Sequence, residues 1–73
     1  MQNTNPLQNR IMSIVDEWVR QQKQPVPQRH IVVALLEEEI PQTTIKAAVR
    51  TLVRKGYLRK AYINGAYVQL RSL

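Results

Sequence analysis

Thr44-Ile45-Lys46-Ala47-Ala48-Val49-Arg50-Thr51-Leu52-Val53-Arg54-Lys55-Gly56-Tyr57-Leu58 is the stretch on which the reading of the fold turns. Ile45, Ala48, Val49 and Leu52 fall at i, i+3, i+4 and i+7, the spacing of a helix with one apolar face. Val53 widens that stripe. Arg54 and Lys55 put positive charge in the last turn, where the helix dipole favours it. Gly56 then supplies the left-handed residue that ends many helices. Upstream, Ile40-Pro41 makes a tight junction, so a helix is predicted over about 42–55. If its stripe faces inward, Thr43, Lys46, Ala47, Arg50 and Arg54 share the outward face.

Beyond Gly56 the periodicity changes. Residues 57–61 and 66–70 are rich in strand formers, and Asn64-Gly65 between them is a strong hairpin signal. A hairpin is predicted over about 57–70. A two-residue loop puts Leu58 opposite Arg71. A three-residue loop, Ile63-Asn64-Gly65, puts Leu58 opposite Leu70 with Val68 on the same face. The second register gathers the apolar side chains and is the preferred one.

Two more helices precede this region. Asn5-Pro6 reads as an N-cap followed by proline at the first helical position, with Gln8 placed to complete a capping box. Leu7, Ile11, Ile14, Val15 and Trp18 form one stripe, with Gln8, Asn9, Ser13, Asp16, Glu17, Arg20 and Gln21 opposite, so a helix over about 6–22 is predicted. It should stop before Pro25. A second helix, about 27–38, carries Ile31, Val32, Ala34, Leu35 and Leu36 so densely that burial on more than one side is expected. Glu37, Glu38 and Glu39 end it, against the helix dipole.

Charge divides the chain sharply. Residues 1–39 hold all five acids (Asp16, Glu17, Glu37, Glu38, Glu39) against Arg10, Arg20, Lys23 and Arg29, a net −1. From Ile40 onward there are Lys46, Arg50, Arg54, Lys55, Arg59, Lys60 and Arg71 with no carboxylate, a net +7. A one-signed basic half reads as a surface for a polyanion. Seventy-three residues suffice for one domain, 1–73, burying about 60% of its unfolded surface. No cysteine and one histidine leave neither disulfides nor a zinc finger. No apolar run reaches a membrane-spanning length, and residues 1–5 lack the features of a signal peptide. A cytoplasmic, nucleoid-associated protein with no membrane partner is the expectation.

The order of helix, helix, short turn, helix, glycine and hairpin resembles a winged helix-turn-helix domain, over nearly the whole chain. The 44–58 stretch is similar to the T-V-x-x-x-L-x-x-L-x-x-x-G-Y-L run by which the third helix of many bacterial winged-helix regulators passes into the first wing strand. The chain departs from the pattern at Pro41, where a serine or threonine N-cap is usual, and at Glu37-Glu38-Glu39, where a glycine often sits. The resemblance implies an α+β fold of three helices with a C-terminal two-stranded β-hairpin wing. It also implies double-stranded DNA binding by the third helix in the major groove, in a small bacterial, phage or plasmid transcriptional regulator.

The residues reach the same surface independently. Lys46 and Arg50 can donate to guanine O6 and N7, while Ala47 and Thr43 can pack on a thymine methyl. Gln42, Thr43 and Thr44 stand at the helix N-terminus, where amides bind phosphate. Arg54, Arg59, Lys60 and Asn64 are candidate backbone contacts, with Arg71 beside them. Trp18 and Tyr57 read as core. Tyr62 and Tyr67 stand evenly between base stacking and ordinary strand packing. His30 has no partner that would make it catalytic or a metal ligand. With no nucleophile–base set and no phosphate-cradling glycine loop, an enzyme is not expected, nor a cofactor or a small-molecule ligand. Two rivals follow: a winged-helix adaptor that binds protein, and an architectural or recombination accessory factor that bends DNA. A homodimer or a protein partner is compatible with the sequence. A dimer would need Ile11, Met12 or Val19 at its interface.

Overall fold

The computed structural model describes residues 5–61 and 65–71. The architecture is α+β: three helices and a three-stranded antiparallel sheet. Helix α1 spans Pro6–Gln22, strand β1 Val26–Pro27, helix α2 Gln28–Leu36, helix α3 Gln42–Arg54, strand β2 Leu58–Lys60 and strand β3 Ala66–Gln69.

The capping box of α1 is complete. The Gln8 amide donates to Asn5 Oδ1 at 2.8 Å and the Asn5 amide to Gln8 Oε1 at 3.3 Å, with Pro6 at the first helical position. Gln8 is not on the solvent face, however. It is 5% exposed, and Lys55 Nζ also donates to its Oε1 at 3.3 Å. The start of α1 is thereby tied to the end of α3. The helix closes at Lys23, whose φ of 54° is left-handed without glycine.

Segment 26–28 holds the main departure from the two-stranded expectation. Val26 and Pro27 pair with Tyr67 and Ala66, giving the sheet order β1-β3-β2. The Gln28 amide donates to the Gly65 carbonyl at 2.7 Å. Bonded pairs alternate along an antiparallel ladder, so Pro27 falls at the non-bonded position of an edge strand, where its missing N–H leaves no gap. Helix α2 therefore starts at Gln28, and it ends at Leu36. The amides of Glu38 and Glu39 bond the carbonyls of Leu35 and Leu36, each at 3.0 Å, a tighter turn than the α-helix makes. Glu39 has φ 61°, the left-handed step that swings the chain into α3. Helix α2 buries a single stripe, Ile31, Val32 and Leu35, rather than several sides. Val33 and Leu36 are 52% and 47% exposed.

Helix α3 ends in a Schellman closure around Gly56 (φ 85°). The Gly56 amide bonds Val53 O at 3.1 Å and the Tyr57 amide bonds Leu52 O at 3.0 Å. The hairpin that follows does not take the preferred register. Leu58 faces Gln69, Arg59 faces Val68 and Lys60 faces Tyr67, while the Ala61 amide bonds Ala66 O at 3.0 Å. The connection is thus four residues, 62–65, not three, and Tyr62, Ile63 and Asn64 lie outside the described residues. A one-residue slip turns every side chain over. The observed register places Leu58, Tyr67 and Val26 on one face and turns Val68 and Leu70 to the other. Tyrosine brings far more apolar area to a core than valine does, which favours this choice.

All three helices and the sheet share one core. Ile11, Met12 and Val15 of α1 meet Val26, then Ile31, Val32 and Leu35 of α2, Ile45, Ala48, Val49 and Leu52 of α3, and Leu58 and Tyr67 of the sheet. Each aliphatic side chain so buried contributes roughly 1.5–3 kcal/mol. Ile11 and Met12 are buried in this core, and Val19 is half-buried against it.

Candidate nucleic-acid interface

Helix α3 is built to present one face. With Ile45, Ala48, Val49 and Leu52 buried, Gln42, Thr43, Thr44, Lys46, Ala47, Arg50 and Arg54 are all exposed. Thr51 lies between the faces and donates its hydroxyl to the Ala47 carbonyl, at 3.0 Å. Pro41 is the N-cap and provides no side-chain cap bond. Amides of the first helical turn have no intrahelical acceptor. Those of exposed Gln42, Thr43 and Thr44 thus stand at the positive end of the helix dipole with anion-binding geometry.

Strand β2 packs against α3 and carries Arg59 and Lys60, both exposed. Their side chains leave opposite faces of the strand: Arg59 faces outward beside Val68, Lys60 is on the Tyr67 side. The two cations therefore flank the strand rather than form one flat patch. Arg71 lies with its guanidinium 4.7 Å from the centre of the Tyr57 ring, which holds it at the base of the hairpin. Asn64 belongs to the undescribed segment. Tyr67 is core, so base stacking is not open to it.

Not every charge belongs to this surface. Lys55 is engaged by Gln8, which the sequence does not suggest because Gln8 reads as a solvent residue. Glu38 accepts a hydrogen bond from Arg10 across 28 residues of chain. That bond, with the carboxylate charge, raises the Arg10 guanidinium above its ordinary value. The middle glutamate of the acidic run is thus a structural partner that fastens α1 to the α2–α3 turn. His30, far from being without neighbours, lies with its ring 4.5 Å from that of Trp18 at 47°. Trp18 in turn donates its Nε1–H to the Pro25 carbonyl at 3.2 Å. Half-buried Trp18 is therefore a clamp between α1, α2 and the approach to β1.

Among the described residues no group of histidine, cysteine and carboxylate side chains could hold a metal ion. No described helix is long and apolar enough to cross a membrane. Comparison with protein-family models, with curated proteins and with solved structures finds no match.

Proposed function

We propose that the chain is a winged helix-turn-helix domain that binds double-stranded DNA sequence-specifically, as a transcriptional regulator. The observation that carries this reading is the outward face of α3. Thr43, Lys46, Ala47, Arg50 and Arg54 are exposed together, and Arg59 and Lys60 are exposed on β2, in a half of the chain with no acidic side chain. A 13-residue helix is about 20 Å long and of a width that the major groove admits. In this reading Lys46 and Arg50 donate to guanine edges, Thr43 and Ala47 meet thymine methyls, and Gln42 and Thr44 set the helix end on a phosphate. Arg54, Arg59 and Lys60 neutralise the flanking backbone, with the β2–β3 hairpin as the wing. The left-handed Glu39 supports it too, because the turn into the third helix of such motifs commonly has glycine there.

Fluorescence anisotropy on a selected duplex and on random duplexes tests the assignment. Replacing Lys46 and Arg50 by alanine is expected to abolish sequence preference, at about 1–3 kcal/mol for each base edge no longer read. Replacing Arg59 or Lys60 should weaken all duplexes alike. Wild-type affinity in the Lys46/Arg50 variant contradicts the assignment. The adaptor reading draws on the exposed Val33 and Leu36, and it predicts that no duplex binds at moderate salt.

A further inference from the structure

Strand β1 stops one rung short along β3. The Gln28 amide bonds Gly65 O at 2.7 Å, and Val26 faces Tyr67. Bonded pairs recur at every second residue of an antiparallel ladder, so the next would join Gln24 to Gln69. That bond does not form. The chain leaves α1 through left-handed Lys23 (φ 54°) and enters the sheet only at Val26. The Pro25 carbonyl points away from β3 and accepts the Trp18 Nε1–H at 3.2 Å. On its other side β3 bonds β2 through Ala66 and Leu70, which by the same alternation leaves Gln69 turned from β2. The N–H and C=O of Gln69 therefore point to the β1 edge and have no partner among the described residues.

This open rung borders a cavity of about 370 Å³ lined by Val19, Lys23, Gln24, Pro25, Val68 and Gln69. Lys23 is the one charged side chain among them; it is exposed and makes no ion pair among the described residues. Leu70, 51% exposed, lies beside Val68's face of the sheet. An unpaired donor and acceptor on a sheet edge are matched by an extended peptide backbone, which neither a lipid nor a nucleic acid offers. A lone cation at the rim favours an acid on that peptide. We propose that the groove binds an extended acidic peptide of a partner protein, which continues the row of β1 past Pro25. The peptide residue opposite Gln69 exchanges both backbone bonds with it. Directly opposed residues share a face, so its side chain points toward α1. A glutamate there packs its stem on Val19 and brings its carboxylate to Lys23. The next residue turns to the other face and covers Leu70. The groove shares no residue with the outward face of α3, so it does not rest on the DNA-binding reading.

Fluorescence anisotropy of a labelled Asp-Val-Glu-Val-Asp peptide, titrated with the full chain in the absence of DNA, tests the proposal. Binding should saturate at one peptide per chain. N-methylation of the central glutamate removes the N–H that bonds the Gln69 carbonyl and should weaken binding about tenfold or more. Lys23→Gln should weaken it about two- to fivefold, and Leu70→Ser about tenfold. Both positions are exposed, and unchanged melting curves establish that these variants fold. The N-methylated peptide needs no variant at all. Lys46→Ala with Arg50→Ala should bind the peptide as wild type does. Four results overturn the proposal: no binding, indifference to N-methylation, unchanged affinity in a folded Lys23→Gln or Leu70→Ser protein, or a loss in the Lys46/Arg50 variant as large as in Lys23→Gln. The last would seat the peptide on α3.

Discussion

Glu39 and Gly56 occupy the same region of backbone space with opposite consequences. Glu39 has φ 61° and bears a steric cost there, whereas Gly56 at φ 85° does not. A Cβ at Gly56 would meet nothing within 4 Å, so the glycine answers a need of conformation, not of space. Glu39→Gly is therefore expected to raise the unfolding free energy by about 0.5–1 kcal/mol, the left-handed cost less the entropy of glycine. Gly56→Ala should lower it by about 1–2 kcal/mol, with Gly56→Asn less harmful. Urea unfolding measures both, and equal stability of all three variants would contradict the backbone argument. Gln8 needs a different kind of test. Its Oε1 accepts from Asn5 and Lys55, so Gln8→Ala leaves a capping amide without its side-chain acceptor and should cost about 1 kcal/mol in the same assay.

At the scale of elements, α3 separates stability from the proposed binding. Leu52 is fully buried, and Leu52→Ala is expected to cost about 2–5 kcal/mol, enough to unfold much of so small a protein. Lys46→Ala with Arg50→Ala should change stability by no more than about 0.5 kcal/mol, since both are exposed. A thermal melt that moved as far for the second pair as for Leu52→Ala would place those side chains in the core. This division is legible in the sequence, because the spacing of Ile45, Ala48, Val49 and Leu52 leaves one inward face only. The same logic yields the start of α1 and the glycine closure of α3. It fails at the sheet. Two residues, one a proline, carry no periodicity, so β1 has no local signal. Without β1, nothing local tells that Tyr67 rather than Val68 faces inward, and the expected register is one residue off. The one-sided burial of α2 is equally hidden, because a run of apolar residues cannot say by itself which of them the neighbours cover. For the candidate site, the α3 face follows from periodicity, but the capture of Lys55 by Gln8 and of Glu38 by Arg10 joins residues far apart in sequence.

Across the whole molecule, the charge step at Ile40 coincides with the boundary between scaffold and proposed binding surface. Before it, α1, α2 and the turn that follows carry mixed charge, part of it satisfied internally through Arg10–Glu38 and Arg20–Asp16. After it, α3 and the hairpin carry cations alone. If Arg54, Arg59 and Lys60 each meet a phosphate, log K should fall against log salt with a slope of about −2.7. Removing any one of them should lower its magnitude by about 1. A slope near zero is incompatible with contact through this face. The most direct test of the central claim is to map backbone amide shifts by NMR as a duplex is added. The account predicts that the shifted amides cluster at residues 42–47, 50, 54, 59 and 60. Shifts centred on Val33 and Leu36 of α2, or none at all in low salt, would contradict it.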